Sequence, residues 1–86
     1  MAAHPLDHIG RRLRIRDLQV FLAVVECGSM AKAAAQLGVT QPAVSEIIAA
    51  LESTFGARLF DRSPRGIETT LYGRALLDRA LTVLDE

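Results

Sequence analysis

SMAKAAAQLGVTQPAVSEIIAALESTF, residues 29–55, decides how this chain is read. Ser29 stands where a side-chain oxygen can cap the first turn of a helix. The stretch Met30–Leu37 carries Ala31, Ala33, Ala34 and Ala35, and alanine both favours helix and lets a second helix come close. Gly38 ends that helix, because glycine takes the left-handed conformation cheaply. Val39 and Thr40 make a tight connection. Thr40 is a good N-cap, and Pro42 falls in the first turn, where its missing N–H costs nothing. Val44, Ile48, Leu51 and Phe55 then recur at i, i+4, i+7 and i+11 and mark one apolar face, with Gly56 as the stop. Two short helices joined by a glycine turn, the second opening with polar residues, form a helix-turn-helix at about 30–49.

Upstream, Leu18, Phe21, Leu22 and Val25 fall on one face of a first helix that starts near Arg16 and stops at Gly28. Residues 1–14, with Pro5 and Gly10, show no sustained periodicity and are read as a flexible extension. Its arginines either touch phosphates or are simply solvated, the second reading being favoured. Downstream, Leu59 and Phe60 read as a short strand, Ser63-Pro64-Arg65-Gly66 as a turn, and Ile67, Glu68 and Thr69 as a second strand. Arg62 and Arg65 fall near the tip of this hairpin. Thr70 can cap a last helix over 71–86, roughly 24 Å long. Its apolar positions, among them Leu71, Ala75, Leu76, Leu77, Ala80, Leu81, Val83 and Leu84, cover more than one face, so the rest is expected to pack on another copy or on a domain this chain lacks, two compatible readings. The expected fold is mainly α: a three-helix core with a short β-hairpin wing over 15–70, followed by a long helix.

Composition sets the limits. Eighty-six residues, half of them apolar, allow one small domain that buries roughly 60% of its unfolded surface. Ten Lys+Arg balance ten Asp+Glu, which argues against a polybasic binder but leaves local charge free to act. The single cysteine, Cys27, excludes an internal disulfide and is read as a small buried apolar residue. With His4 and His8 in the lead, no four-ligand zinc set can be assembled. No apolar run reaches the ~18 residues of a membrane span, and Arg11 and Arg12 are not followed by an apolar signal core, so the cytoplasm is the expected location. No Ser/His/Asp or Cys/His set and no glycine-rich phosphate loop is present, so neither an enzyme nor a cofactor is expected.

A helix-turn-helix with a hairpin reads, on pattern alone, as a DNA-binding unit or as a helical interaction module, the first being favoured. The first helix and the core hold the second so that its N-terminal turns enter a major groove, which admits one α-helix. Thr40, Gln41 and Ser45 face outward near that end, where hydroxyls and amides can read base edges. Arg62 and Arg65 of the wing can reach the backbone or the minor groove.

The chain also resembles a family. "LQVFLAV" beginning at Leu18, "GSMAKAAAQLGVTQPAVS" at 28–45, "ALE" at 50–52, "FGARLFDR" at 55–62, "RGIETT" at 65–70 and Gly73 are together similar to the N-terminal domain of LysR-type bacterial transcriptional regulators. The resemblance covers about 60 of the 86 residues. It implies a winged helix-turn-helix that binds double-stranded promoter DNA as a homodimer, with the last helix as the linker that pairs antiparallel with its mate. Carried onto this chain, it makes Gln41, Pro42 and Ser45 base-contacting positions. It makes Ser29, Lys32 and Thr40 phosphate contacts, and Arg62 and Arg65 wing contacts. Leu76, Leu77, Leu81 and Leu84 become the pairing residues of the last helix. Members of the family continue into a C-terminal domain that binds a small-molecule inducer. This chain stops at Glu86 without it, and is read as a fragment or as a short form.

There are departures. Many relatives carry Arg, Gln and a basic residue where this chain has Glu46, Ile47 and Ala49, and residues 41–55 contain no Lys or Arg. Glu46 either accepts from a cytosine amino group or is an exposed acid tolerated near DNA, and the second reading is favoured. The neutral net charge and this helix leave a rival: a dimerising module that pairs with full-length relatives and binds DNA weakly. Phe21, Phe55 and Phe60 are expected in the core. Tyr72 is expected in core or dimer packing, and Glu26, Glu52 and Asp78 in solvent.

Overall fold

The computed structural model describes residues 14–85, with side chains up to Thr82. Four helices and one hairpin follow in order: α1 (Ile15–Cys27), α2 (Met30–Leu37), α3 (Gln41–Phe55), β1 (Phe60–Ser63), β2 (Gly66–Thr69) and α4 (Leu71–Asp85). The expected architecture is the observed one. The extension over residues 1–13, with His4 and His8, lies outside the described residues, as do Glu86 and the side chain of Leu84.

Local chemistry sets the helix ends. Ser29 Oγ accepts the N–H of Lys32 at 3.2 Å, Thr40 Oγ1 that of Ala43 at 3.2 Å, and Thr70 Oγ1 that of Gly73 at 3.1 Å. Each hydroxyl takes up a donor that the first helical turn leaves without a partner. At the end of α2, Gly38 is left-handed (φ 71°). There Val39 N donates to Ala34 O at 3.0 Å and Gly38 N to Ala35 O at 3.3 Å, the paired bonds of a Schellman close.

α1 is the centre of the molecule. It contacts α2, α3, α4 and β2, so its buried residues are not confined to the stripe expected from periodicity. Leu18 and Phe21 are buried as expected. Val20, Ala23 and Val24 are buried with them, while Leu22 and Val25 are half-buried. α2 adds Met30, Ala33 and Ala34, α3 adds Val44, Ile48 and Leu51, the wing adds Phe60, and α4 adds Leu76 and Ala80. Phe21 and Phe60 meet at a ring-centroid distance of 5.3 Å and join α1 to the wing. Phe55 is half-buried at the core's edge.

β1 and β2 pair antiparallel, Phe60 against Thr69 and Ser63 against Gly66. The first strand begins at Phe60, one residue later than expected, and Leu59 is buried just before it. Alternation along the strands puts Arg62 and its partner Ile67 on one face and the Asp61–Glu68 pair on the other.

Two expectations are corrected. Glu52 is not left to solvent: Oε2 accepts the N–H of Leu59 at 2.8 Å and that of Phe60 at 3.4 Å. Cys27 is half-buried where a buried residue was expected: it packs against the core's edge, and its thiol also donates to Gln36 Oε1 at 3.2 Å. Tyr72 is 63% exposed, so of its two expected places the protomer's core is not the one it takes.

Candidate nucleic-acid interface

The α2–α3 pair presents the opening turns of both helices on the side of the molecule that also carries the wing. One cleft is lined by Ser29, Met30 and Ala31 of the α2 start, Gln41 of the α3 start, and Arg62, Ser63, Gly66 and Ile67 of the hairpin. A second is lined by Ser45, Ile48, Ala49 and Glu52 of α3, by Arg58, and by Phe60 and Arg62 of the wing, again with Met30. Met30 and Arg62 belong to both. The tertiary structure therefore gathers four of the residues singled out in the sequence, Ser29, Gln41, Ser45 and Arg62, around two adjoining clefts.

Lys32, Thr40, Pro42, Glu46 and Arg65 line neither cleft and are exposed on the surrounding surface. Ser29 and Thr40 use an oxygen lone pair for capping, which leaves each hydroxyl proton able to donate outward to an anion. Helix N-termini also carry partial positive charge, which favours phosphate. Arg65 sits at the hairpin turn, where its N–H donates to Ser63 Oγ at 3.2 Å and shapes the tip. Ser45 is half-buried, and its hydroxyl donates to Met30 Sδ at 3.3 Å. Asp61 and Glu68 occupy the opposite face of the wing, so the hairpin separates its acids from Arg62.

Two contributors escaped the sequence reading. Glu52 lies four residues after Ile48, on the edge of the apolar stripe, and that spacing was the available signal for a half-buried acid. Arg58 joins Arg62 at the second cleft, which only the path of the chain after Gly56 brings about.

α4 divides its leucines. Leu76 is part of the monomer's core, Leu77 is half-buried, and Leu81 is 45% exposed. At the other end of the helix, Leu71 is 82% exposed. Tyr72, Ala75, Leu76 and Arg79 form an apolar groove with Phe55 and Leu59.

Three helices, a tight turn and a hairpin arranged in this way define a winged helix-turn-helix DNA-binding domain. The family model described as bacterial regulatory helix-turn-helix protein, lysR family, matches residues 15–74. The chain belongs to that family, and it is a LysR-type helix-turn-helix domain of the kind found in transcriptional regulators. A helix-turn-helix-type transcriptional regulator from the ibpB–leuC intergenic region of Azotobacter vinelandii is 50% identical over 70 residues, covering 81% of this chain and 49% of that protein. The regulator YdcI of Escherichia coli K12 is 43% identical over 75 residues, covering 87% of this chain and 24% of that one. The chain thus spans between a quarter and a half of the length of these two curated relatives. The crystal structure of a CbnR DBD–DNA complex superposes with a TM-score of 0.80 at 44% identity, covering 85% of this chain and 84% of that one. Among the described residues, no helix is long and apolar enough to cross a membrane.

Proposed function

We propose that this chain binds promoter DNA sequence-specifically as a homodimer and acts as a transcription regulator in the cytoplasm, without catalysis and without a cofactor. Residues 15–70 are the DNA-reading unit and residues 71–86 the pairing helix. Gln41, Pro42 and Ser45 meet base edges, with Glu46 beside them. Ser29, Lys32 and Thr40 meet phosphates, and Arg62 and Arg65 extend the contact from the wing. One observation carries the reading: Ser29, Gln41 and Arg62, from three separate elements, line a single cleft at the mouth of α3. That convergence is what a helix entering a major groove needs from its flanks. The family membership and the likeness to a DNA-bound domain support it.

Pairing through α4 is supported by the exposure of Leu81 on a helix whose buried side is already used by Leu76 and Ala80. An inducer belongs to the proposal only for a protein that carries the family's C-terminal domain. α3 contains no Lys or Arg, so phosphate attraction comes from Lys32 and the wing arginines.

The test is fluorescence anisotropy against the DNA beside the chain's own gene, with a scrambled duplex as control, titrated in salt. The expected result is site-preferring binding that weakens with a log–log slope near −0.9 per phosphate neutralised. Binding absent at low salt would instead support a dimerising module that pairs with full-length relatives.

A further inference from the structure

Met30 is 6% exposed and opens α2 directly behind the place where α3 meets the wing. Two donors converge on its sulfur. Ser45 Oγ lies 3.3 Å from Sδ, and Arg62 Nη2 lies 3.5 Å from it. The thioether is a weak acceptor, but it is polarizable and has two lone pairs, so it can serve both donors. One donor comes from the reading helix and the other from β1, and Met30 lines both clefts of the interface.

The direction of these bonds matters. A serine inside a helix can turn its hydroxyl back onto the carbonyl four residues earlier, which here is that of Gln41. Ser45 donates to Sδ, and its oxygen is thereby set in a defined rotamer at the edge of the second cleft. Arg62 spends one of its five N–H donors on the sulfur and keeps the rest for the surface. An aliphatic side chain of the same size would fill the space and offer no acceptor. The hydroxyl could then fold back and the guanidinium could swing out.

We propose that Met30 is a positioning residue for DNA recognition: its sulfur is one shared acceptor that fixes Ser45 and Arg62 relative to each other and so couples the reading helix to the wing. The role rests on the DNA-binding function proposed above. Met30, 6% exposed, acts through these two side chains.

The chain has two methionines, Met1 and Met30, so full replacement of methionine by norleucine exchanges sulfur for CH2 at Met30 and otherwise only at the first residue. The probe is a duplex enriched by the methionine-containing chain from a randomised library, compared with its scrambled version. The norleucine chain is expected to keep its Tm and its salt slope, since no charge is removed, while its preference for the enriched duplex falls about three- to tenfold, the range of one ordinary hydrogen bond. In a Ser45→Ala background the exchange is expected to cost less, because the coupled partner is already gone. In the free protein, relaxation of the Arg62 Nε–H is expected to show greater mobility. Unchanged preference in the norleucine chain overturns the role. So does a lowered Tm with the full loss retained in the Ser45→Ala background, which assigns the effect to packing. A methionine-containing chain that enriches no duplex at all overturns the DNA-reading function itself and this role with it. Met30→Leu gives the same comparison with a genetically encoded side chain.

Discussion

The Glu52 carboxylate holds Leu59 by its backbone, accepting that residue's N–H at 2.8 Å. On the other side, Leu59 O accepts the N–H of Thr70 at 3.0 Å, and the Thr70 hydroxyl donates to Arg58 O at 2.6 Å. The segment between α3 and the wing is thus tied to the helix before it and to the start of the helix after it. Because Leu59 immediately precedes β1, these bonds set where Arg62 stands relative to α3.

Removing the acceptor is expected to leave two part-buried N–H groups without their partner. Glu52→Ala should lower stability by about 1–3 kcal/mol, and Glu52→Gln, which keeps an oxygen acceptor, by less. Urea unfolding of both variants checks this. Equal loss in the two would mean that the carboxylate's charge, not its position as acceptor, is what matters.

Gly73 is where α4 passes over the same segment. A Cβ there would run into Leu59 O, a backbone atom that cannot step aside. Gly73→Ala should therefore destabilise the domain by about 1–3 kcal/mol, the cost of overpacking, although alanine is the better helix former. Calorimetry of Gly73→Ala would refute this close approach if the Tm rose.

At the interface, the two kinds of contact should separate. Ser45→Ala and Gln41→Ala are expected to flatten discrimination between sites by about 1–3 kcal/mol, the value of a base contact. Arg65→Ala should weaken binding to all duplexes alike and reduce the salt slope by about one. Anisotropy titrations at several salt concentrations read both quantities.

In the wing, Asp61 and Glu68 stand directly opposite each other across the two strands. Like charges so placed oppose pairing, so Asp61→Asn should stabilise the hairpin by roughly 0.2–1 kcal/mol, with the gain shrinking as salt is added. Thermal unfolding at low and high salt tests both the sign and the screening.

For pairing through α4, Leu81 is the informative position because it is exposed in the monomer. Leu81→Arg should shift the chain from dimer to monomer in sedimentation while leaving the helical content of each protomer intact. Leu76→Ala should instead weaken the protomer itself, by about 2–5 kcal/mol, as the loss of a core leucine does.

Much of this could be read from the chain before it was folded. Ser29, Thr40 and Thr70 cap the helices that follow them, Gly28, Gly38 and Gly56 end the helices before them, and Ser63–Gly66 turns the hairpin. Each of these depends on atoms within a few residues, so the sequence alone determines it. The same local legibility revealed Gln41, Ser45, Arg62 and Arg65 as polar groups at element ends.

What only the tertiary structure decided involves partners far apart in the chain. Periodicity gave α1 one apolar stripe, but four neighbouring elements surround it and bury Val20 and Val24 as well. It treated the leucines of α4 alike, whereas packing took Leu76 inward and left Leu81 outside. It placed Glu52 in solvent: the spacing from Ile48 can signal partial burial, but the two N–H donors that meet the carboxylate come from the chain beyond Gly56. Nothing local marks Met30; only the packing of α3 and β1 brings a hydroxyl and a guanidinium to its sulfur. Caps and turns are fixed by short-range hydrogen bonding, but burial and coupling exist only once the packing of distant segments has chosen which face meets which.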